Sequence, residues 1–150
     1  MIKVMFVCHG NICRSVMAEF IFKDIVKRNH QEDDFLIDST ATSFEEIGND
    51  IYPPAKRVLA ENGISFTRHS ARRITKYDYD EFDYVLIMDS NNKRNLYNIV
   101  GRDEKTYMLG SFANVGEISD PWYTGMFDEC FKEIKISCEF FYKYLIDNNF

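Results

Sequence analysis

The stretch Ile2-Lys3-Val4-Met5-Phe6-Val7-Cys8-His9-Gly10-Asn11-Ile12-Cys13-Arg14-Ser15-Val16-Met17 decides how this chain is to be read. Ile2 to Val7 is a short apolar run with β-branched members, the composition of a strand buried on both faces. From Met17 onward, Met17, Phe20, Ile21 and Ile25 recur at helical spacing. Between the two lies a polar turn, His9 to Ser15. A buried strand, a tight turn and a helix make the opening unit of a parallel α/β sheet, and such sheets bind ligands beyond the carboxyl ends of their strands. The turn is therefore where a site is expected.

The rest of the chain repeats the alternation. Phe35 to Ala41 reads as a second strand. Pro53 and Pro54 open a helix with Ala55, Val58 and Leu59 on one face, and Gly63 stops it. Tyr84 to Met88 is the plainest buried strand, followed by polar Asp89 to Asn92 and a helix carrying Leu96, Ile99 and Val100. Thr106 to Leu109 reads as a fourth strand, and Gly110 to Gly125 as a loop longer than packing needs. A last helix places Phe127, Phe131, Ile134, Cys138, Phe141 and Leu145 on one stripe. The pattern predicts a three-layer α/β fold, a four-stranded parallel sheet with helices on both faces. No repeat or linker interrupts it, so one domain over residues 1–150 is expected.

Bulk properties narrow the partners. At 45% hydrophobic and 28% charged residues the chain is globular rather than disordered. A formal net charge of −6 makes no case for nucleic acid or an anionic membrane. No apolar run approaches the roughly 20 residues of a membrane span, and the apolar N-terminus runs into His9-Gly10-Asn11 without a signal-type cleavage site. Four cysteines in 150 residues are no disulfide framework, and a cytoplasmic home is the simplest expectation.

Each residue of Cys8 to Ser15 has a task if the ligand is a phosphoryl group. A loop turning into a helix aims backbone N–H groups, and the helix dipole, at one anion. Gly10 and Asn11 tolerate the positive φ of a tight cradle. Arg14 offers a planar fork for two phosphate oxygens. The same field favours the anionic form of a thiol, which makes Cys8 a nucleophile with Ser15 placed to stabilise it. A lone cysteine is more often a small buried hydrophobe, and Cys-x5-Arg recurs by chance. The strand before it, the helix after it and the adjoining Ser15 give the pattern its weight. Cys8, His9 and Cys13 lack a fourth ligand, so neither a metal site nor a cofactor is expected. Further on, Asp120-Pro121-Trp122-Tyr123 reads from its residues as either a plain turn or a carboxylic acid backed by aromatics.

The segment Val7 to Ser15 resembles the signature loop of the low-molecular-weight protein tyrosine phosphatases. The resemblance extends over essentially the whole chain through Asp38-Ser39, His69-Ser70-Ala71-Arg72, Phe82-Asp83-Tyr84, Met88-Asp89 and Asp120-Pro121-Trp122-Tyr123. It implies a flavodoxin-like strand order 2-1-3-4 and hydrolysis of phosphotyrosine monoesters through a phosphocysteine at Cys8. The phosphate loop would be Cys8, His9, Gly10, Asn11, Ile12, Cys13, Arg14 and Ser15, with Asp120 as general acid and Trp122 and Tyr123 as an aromatic wall. Asn11 would brace the loop against Ser39 and His69, Glu19 and His69 would form a further brace, and Asp89 would hold the acid loop or Arg14. Cys13 would close a reversible disulfide with Cys8. The partner implied is a tyrosine-phosphorylated protein, met by a monomer or weak homo-oligomer.

Several positions depart from the family pattern. His9 replaces a commonly apolar residue, Val16 stands where Pro is frequent, and Trp122 replaces a usual Tyr. At the rim, Phe44 lies close to the family's aromatic, but Glu45 aligns with it. Two other functions share parts of this pattern. Thioredoxin-coupled arsenate reduction needs a cysteine pair in mid-chain, where none lies between Cys13 and Cys130. A phosphopeptide- or anion-binding module would have no use for Cys8 and Asp120.

Overall fold

The computed structural model describes residues 1–148. Four strands, β1 (Ile2–Cys8), β2 (Phe35–Ala41), β3 (Tyr84–Ile87) and β4 (Thr106–Met108), form one parallel sheet in the order β2-β1-β3-β4. Around it run α1 (Arg14–Arg28), α2 (Pro53–Glu61), α3 (Lys76–Glu81), α4 (Ser90–Val100), α5 (Pro121–Thr124) and α6 (Phe127–Asp147). The expected α/β class and strand order are both present.

Alternation along β1 shows why there are two cores. Val4, Phe6 and Cys8 join one cluster with Val16, Phe22 and Phe141 of α1 and α6. Met5 and Val7 join the other, with Ile74, Tyr79, Phe82, Leu96 and Val100. Residues on successive positions of a strand face opposite sides, so the unbroken apolar run Val4 to Cys8 must be covered on both faces. The first core is the larger. Its centre is Phe22, fully buried and within ring-contact distance of Phe6 at 5.8 Å and Phe141 at 5.4 Å. Truncating it to alanine would cost about 3–5 kcal/mol, the usual range for a buried aromatic.

Two departures from the expected elements have clear causes. Helix α3 carries few apolar residues, too few for a visible period, but Thr75 and Asp78 form a capping box and Tyr79 is fully buried. Caps and one anchor hold it where periodicity does not. The segment expected as a long loop contains a 3-10 turn (Leu109–Ala113) and the short helix α5. A Cβ on Gly110 would lie 1.9 Å from the Gly116 carbonyl oxygen, so the fold of this segment requires glycine there. Beyond it, Ile118 N–H donates to the Met88 carbonyl at 2.9 Å, docking the segment on the end of β3. That contact delivers Asp120 to the carboxyl edge of the sheet.

Candidate active site

The turn between β1 and α1 closes around one sulfur. Cys8 ends its strand and is 3% exposed. The backbone N–H groups of Asn11 and Ser15 each approach Cys8 Sγ at 3.4 Å, and Ser15 Oγ lies 3.1 Å away. Asn11 adopts φ +61°, which turns the loop back toward the cysteine. Few residues other than glycine take that conformation readily, and asparagine is among them. The first turn of α1 has no acidic residue, and Cys13 provides no side-chain cap. Its N–H groups are thus left to the sulfur and to whatever anion sits beside it.

Asn11 is the keystone. It is completely buried, and its Nδ2 donates to Ser15 Oγ at 2.8 Å and Ser39 Oγ at 2.9 Å. His69 Nε2 lies 2.8 Å from the Asn11 carbonyl and 3.1 Å from Oδ1. Both are acceptors, so Nε2 carries the proton. Arg72 N–H also donates to Oδ1, at 3.3 Å. Because Ser15 Oγ already accepts from Asn11, its own proton is free to point at Cys8. Glu19 enters from behind: Ser39 Oγ donates to Glu19 Oε1 at 2.6 Å, and Lys23 donates to Oε2 at 2.6 Å. Glu19 and His69 therefore reach the loop by separate routes, through Ser39 and through Asn11, rather than bracing one another.

Arg14 is 2% exposed, with its charge pinned from one side. Nη1 donates to Asp89 Oδ2 and to the Ile118 carbonyl, both at 2.7 Å, and Nη2 reaches Asp120 Oδ2 at 3.4 Å. Burial opposes its charge, but the Cys8 sulfur, Asp89 and Asp120 more than offset this and hold its pKa above the ordinary value. Nε is buried with no hydrogen-bond partner among the described residues. A buried N–H left unpaired costs about 1–3 kcal/mol, and this one belongs to a side chain lining the same cleft as Cys8. Asp89 caps α4 while it holds Arg14, so helix and guanidinium are positioned together.

Asp120 caps α5 through Trp122 N–H at 3.0 Å and lines the cleft with Trp122 and Tyr123, which are 50% and 81% exposed. His9, Gly10 and Glu45 line the same cleft, with His9 Nε2 3.0 Å from Glu45 Oε2. Phe44 is not part of the rim. It stands outside the cleft with its ring 4.2 Å from the Arg73 guanidinium, so the expectation for it is corrected in favour of Glu45. Burial holds the Cys13 and Cys138 thiols well above their ordinary range and pushes Cys130 up to about 12. Cys13 lines the cleft beside Cys8 as a protonated thiol.

Three contributors were not anticipated. Glu46 lines the cleft. Tyr52 donates its N–H to the Ile12 carbonyl at 2.9 Å and packs its ring 4.7 Å from Trp122, tying wall to loop. The Ile118 carbonyl is a main-chain atom and invisible to residue type. Tyr52 directly before Pro53 was the only available signal: an aromatic at a helix entrance is often an anchor.

The family model for the low molecular weight phosphotyrosine protein phosphatases matches residues 3–149. The chain belongs to that family. It is 36% identical over 144 residues to the Bacillus subtilis low molecular weight protein-tyrosine-phosphatase YfkJ, covering 93% of this chain and 92% of that one. The crystal structure of YfkJ superposes with a TM-score of 0.96 at 34% identity, covering 100% and 98% of the two chains. A human low molecular weight phosphotyrosine protein phosphatase is 41% identical over 131 residues, covering 81% and 80%. A structural neighbour, Drosophila arginine phosphatase, superposes with a TM-score of 0.86 at 29% identity, covering 95% and 97% of the two chains.

Proposed function

We propose that this chain hydrolyses phosphotyrosine monoesters on proteins in two steps, through a phosphocysteine at Cys8. The observation that carries this reading is the convergence of Ser15 Oγ and two backbone N–H groups on the Cys8 sulfur, inside a cleft also lined by Arg14 and Asp120. Donors aimed at a sulfur stabilise its anion, and an anionic sulfur is a nucleophile.

In the first step Cys8 Sγ attacks phosphorus in line, an S–P bond forms and the bond to the tyrosyl oxygen breaks. The leaving oxygen takes a proton from Asp120. The loop N–H groups and the Arg14 Nε edge hold the non-bridging oxygens, and this electrostatic positioning is most of what phosphoryl transfer asks of a protein. In the second step Asp120, now ionised, removes a proton from water as its oxygen attacks phosphorus. The S–P bond breaks, inorganic phosphate leaves, and the Ser15 hydroxyl stabilises the departing thiolate. One carboxyl group serves as acid and then as base. The sulfur is buried at 3% exposure while Trp122 and Tyr123 on the same cleft are exposed, which favours a phosphate carried at the end of an aromatic ring. Four unpaired cysteines fit a reducing compartment, which supports the cytoplasm as its location. Among the described residues no helix is long and apolar enough to cross a membrane.

Rapid-quench mass spectrometry during turnover of a phosphotyrosine peptide should find one phosphoryl group on the fragment that carries Cys8. Cys8→Ser should abolish turnover of every substrate and remove that adduct. Phosphoserine and phosphoarginine peptides run in parallel should be poor substrates. Preferential turnover of either would reassign the substrate class, and an adduct elsewhere would remove Cys8 from its role.

A further inference from the structure

The acid on which this site depends is carried by a segment with little to hold it. Of residues 119–126 only Pro121 is buried. The segment is fixed before Asp120 by the Ile118 N–H on the Met88 carbonyl, and after it by Phe127, 6% exposed in the core. Between those points α5 has four residues and ends at Gly125, φ +74°. The Asp120 carboxylate follows whatever position α5 takes, because Oδ1 accepts the Trp122 N–H at 3.0 Å. Its direct bond to the phosphate loop, from Arg14 Nη2 to Oδ2, is long at 3.4 Å. A general acid has to stand within hydrogen-bond reach of the leaving oxygen, so α5 needs a second tie to the loop. Tyr52 supplies it. The main chain of Tyr52 belongs to the loop side: its N–H donates to the Ile12 carbonyl at 2.9 Å. Its carbonyl accepts from Ala55 and Lys56 at 2.9 and 3.1 Å, which makes it the entrance of α2, and Pro53 and Pro54 restrict the backbone that follows. The side chain belongs to the acid segment, with its ring 4.7 Å from Trp122 and 5.9 Å from Phe127. One ring thus touches the chain on both sides of the Gly125 turn. Tyr52 does not line the cleft, and its hydroxyl makes no hydrogen bond among the described residues.

We infer that Tyr52 is a positioning residue, a strut that sets the place of Asp120 relative to Cys8 by holding Trp122 against the phosphate loop. This role rests on the phosphatase activity proposed above. It concerns proton delivery and leaves the choice of substrate untouched. The strut works because its two ends are of different kinds. The main-chain end is locked by a hydrogen bond and two prolines, and the ring end is a flat, rigid surface with few rotamers. An aromatic pair adds only modestly to stability, but a displacement of about 1 Å costs a positioned group up to about 100-fold in rate. That loss grows with the leaving oxygen's need for a proton.

The test measures kcat/KM, which reports the step that frees the leaving oxygen, on phenyl phosphate and p-nitrophenyl phosphate. Tyr52→Ala should lower it by about 10- to 100-fold on phenyl phosphate. On p-nitrophenyl phosphate, whose leaving group needs a proton least, the loss should be no more than about 3-fold. Tyr52→Phe keeps the ring and should leave both at wild-type values. In an Asp120→Asn background, Tyr52→Ala should no longer separate the two substrates, because residues that act through one group are not additive. Trp122 is the chain's only tryptophan, so its fluorescence reads the contact without turnover. Tyr52→Ala should raise its quenching by acrylamide and lower its anisotropy, and Tyr52→Phe should do neither. Each pair of substrates is compared within one protein, so a partly folded variant loses both rates without moving their ratio. An equal loss on the two substrates, no loss on either, or an unchanged fluorescence overturns the inference while leaving the phosphatase activity standing. If the wild type hydrolyses neither aryl phosphate, the activity itself is refuted.

Discussion

The phosphate loop and the rim above it are a few ångströms apart and built on opposite principles. In the loop, Asn11, Arg14 and Ser15 are polar yet at most 2% exposed, and Asn11 alone is fastened to Ser15, Ser39, His69 and Arg72. At the rim, Trp122 and Tyr123 are at least half exposed, and the Glu45 carboxylate has one hydrogen-bond partner among the described residues, His9. A buried polar network fixes one geometry because each unmade bond carries a desolvation cost. An exposed rim has water as an alternative partner at every site and so can vary at little cost. Damage to the loop should therefore lower turnover of all substrates alike, whereas damage to the rim should re-rank them.

The largest effect within that contrast belongs to Asp120, which touches both regions. It binds Arg14 of the loop and caps the helix that carries the rim aromatics. Asp120→Asn should lower kcat by about 10²–10⁴-fold, the usual span for general acid–base catalysis. The loss should be smallest on p-nitrophenyl phosphate, whose leaving group needs a proton least. A leaving-group series measures this directly; an equal loss across the series would show that Asp120 serves position rather than proton transfer.

A purely loop-side change comes next. Asn11→Ala leaves Ser15, Ser39 and the Arg72 N–H short of a partner, leaves His69 only the main-chain carbonyl of residue 11, and places alanine at φ +61°. Orphaned buried groups cost about 1–3 kcal/mol. Stability should fall by about that amount, read as a shift in denaturant midpoint. Activity should fall by about 10- to 100-fold on peptide and small aryl phosphates together, given the sensitivity of positioned groups to small displacements. If the variant discriminated between substrates differently from the wild type, loop and rim would be one coupled unit and the contrast would fail.

Legibility in the sequence follows the same division. The sheet could be read because β1 from Val4 to Cys8 and all of β3 are runs of apolar residues, the pattern of strands covered on both faces. The loop could be read because each residue does a job few others can: a thiol at a strand end, asparagine at positive φ, a guanidinium on an oxyanion. Helix α3 was hidden because a capping box and a single buried tyrosine hold it. At the rim the wrong residue looked right: Phe44 has the aromatic character expected of a substrate wall, but Arg73 offers its ring a cationic face outside the cleft. Glu46 and Tyr52 were missed because their importance comes from what they lie against, Gly10 and Trp122, and neighbours in space leave no mark on a single sequence.

The smallest predicted effect lies where the two regions join. Asp50 ends the segment that begins with the rim, and it holds the brace of the loop: Oδ1 accepts the His69 N–H at 2.9 Å, and Oδ2 pairs with Lys56 at 2.7 Å. The Lys56 ammonium first, and then the His69 N–H, keep its carboxyl well below the usual carboxylate range. A carboxyl that is more acidic folded than unfolded favours the folded state above its unfolded value, near pH 4, and that advantage is lost as pH falls toward the folded value. Asp50→Asn should therefore flatten the decline of melting temperature between about pH 5 and pH 2.5. At neutral pH it should lower the melting temperature by no more than about 2–4 °C, since the pair is partly exposed and screened by solvent. Parallel melting-temperature profiles for the two proteins across this pH range would show instead that Asp50 is a solvated surface carboxylate that contributes nothing to the fold.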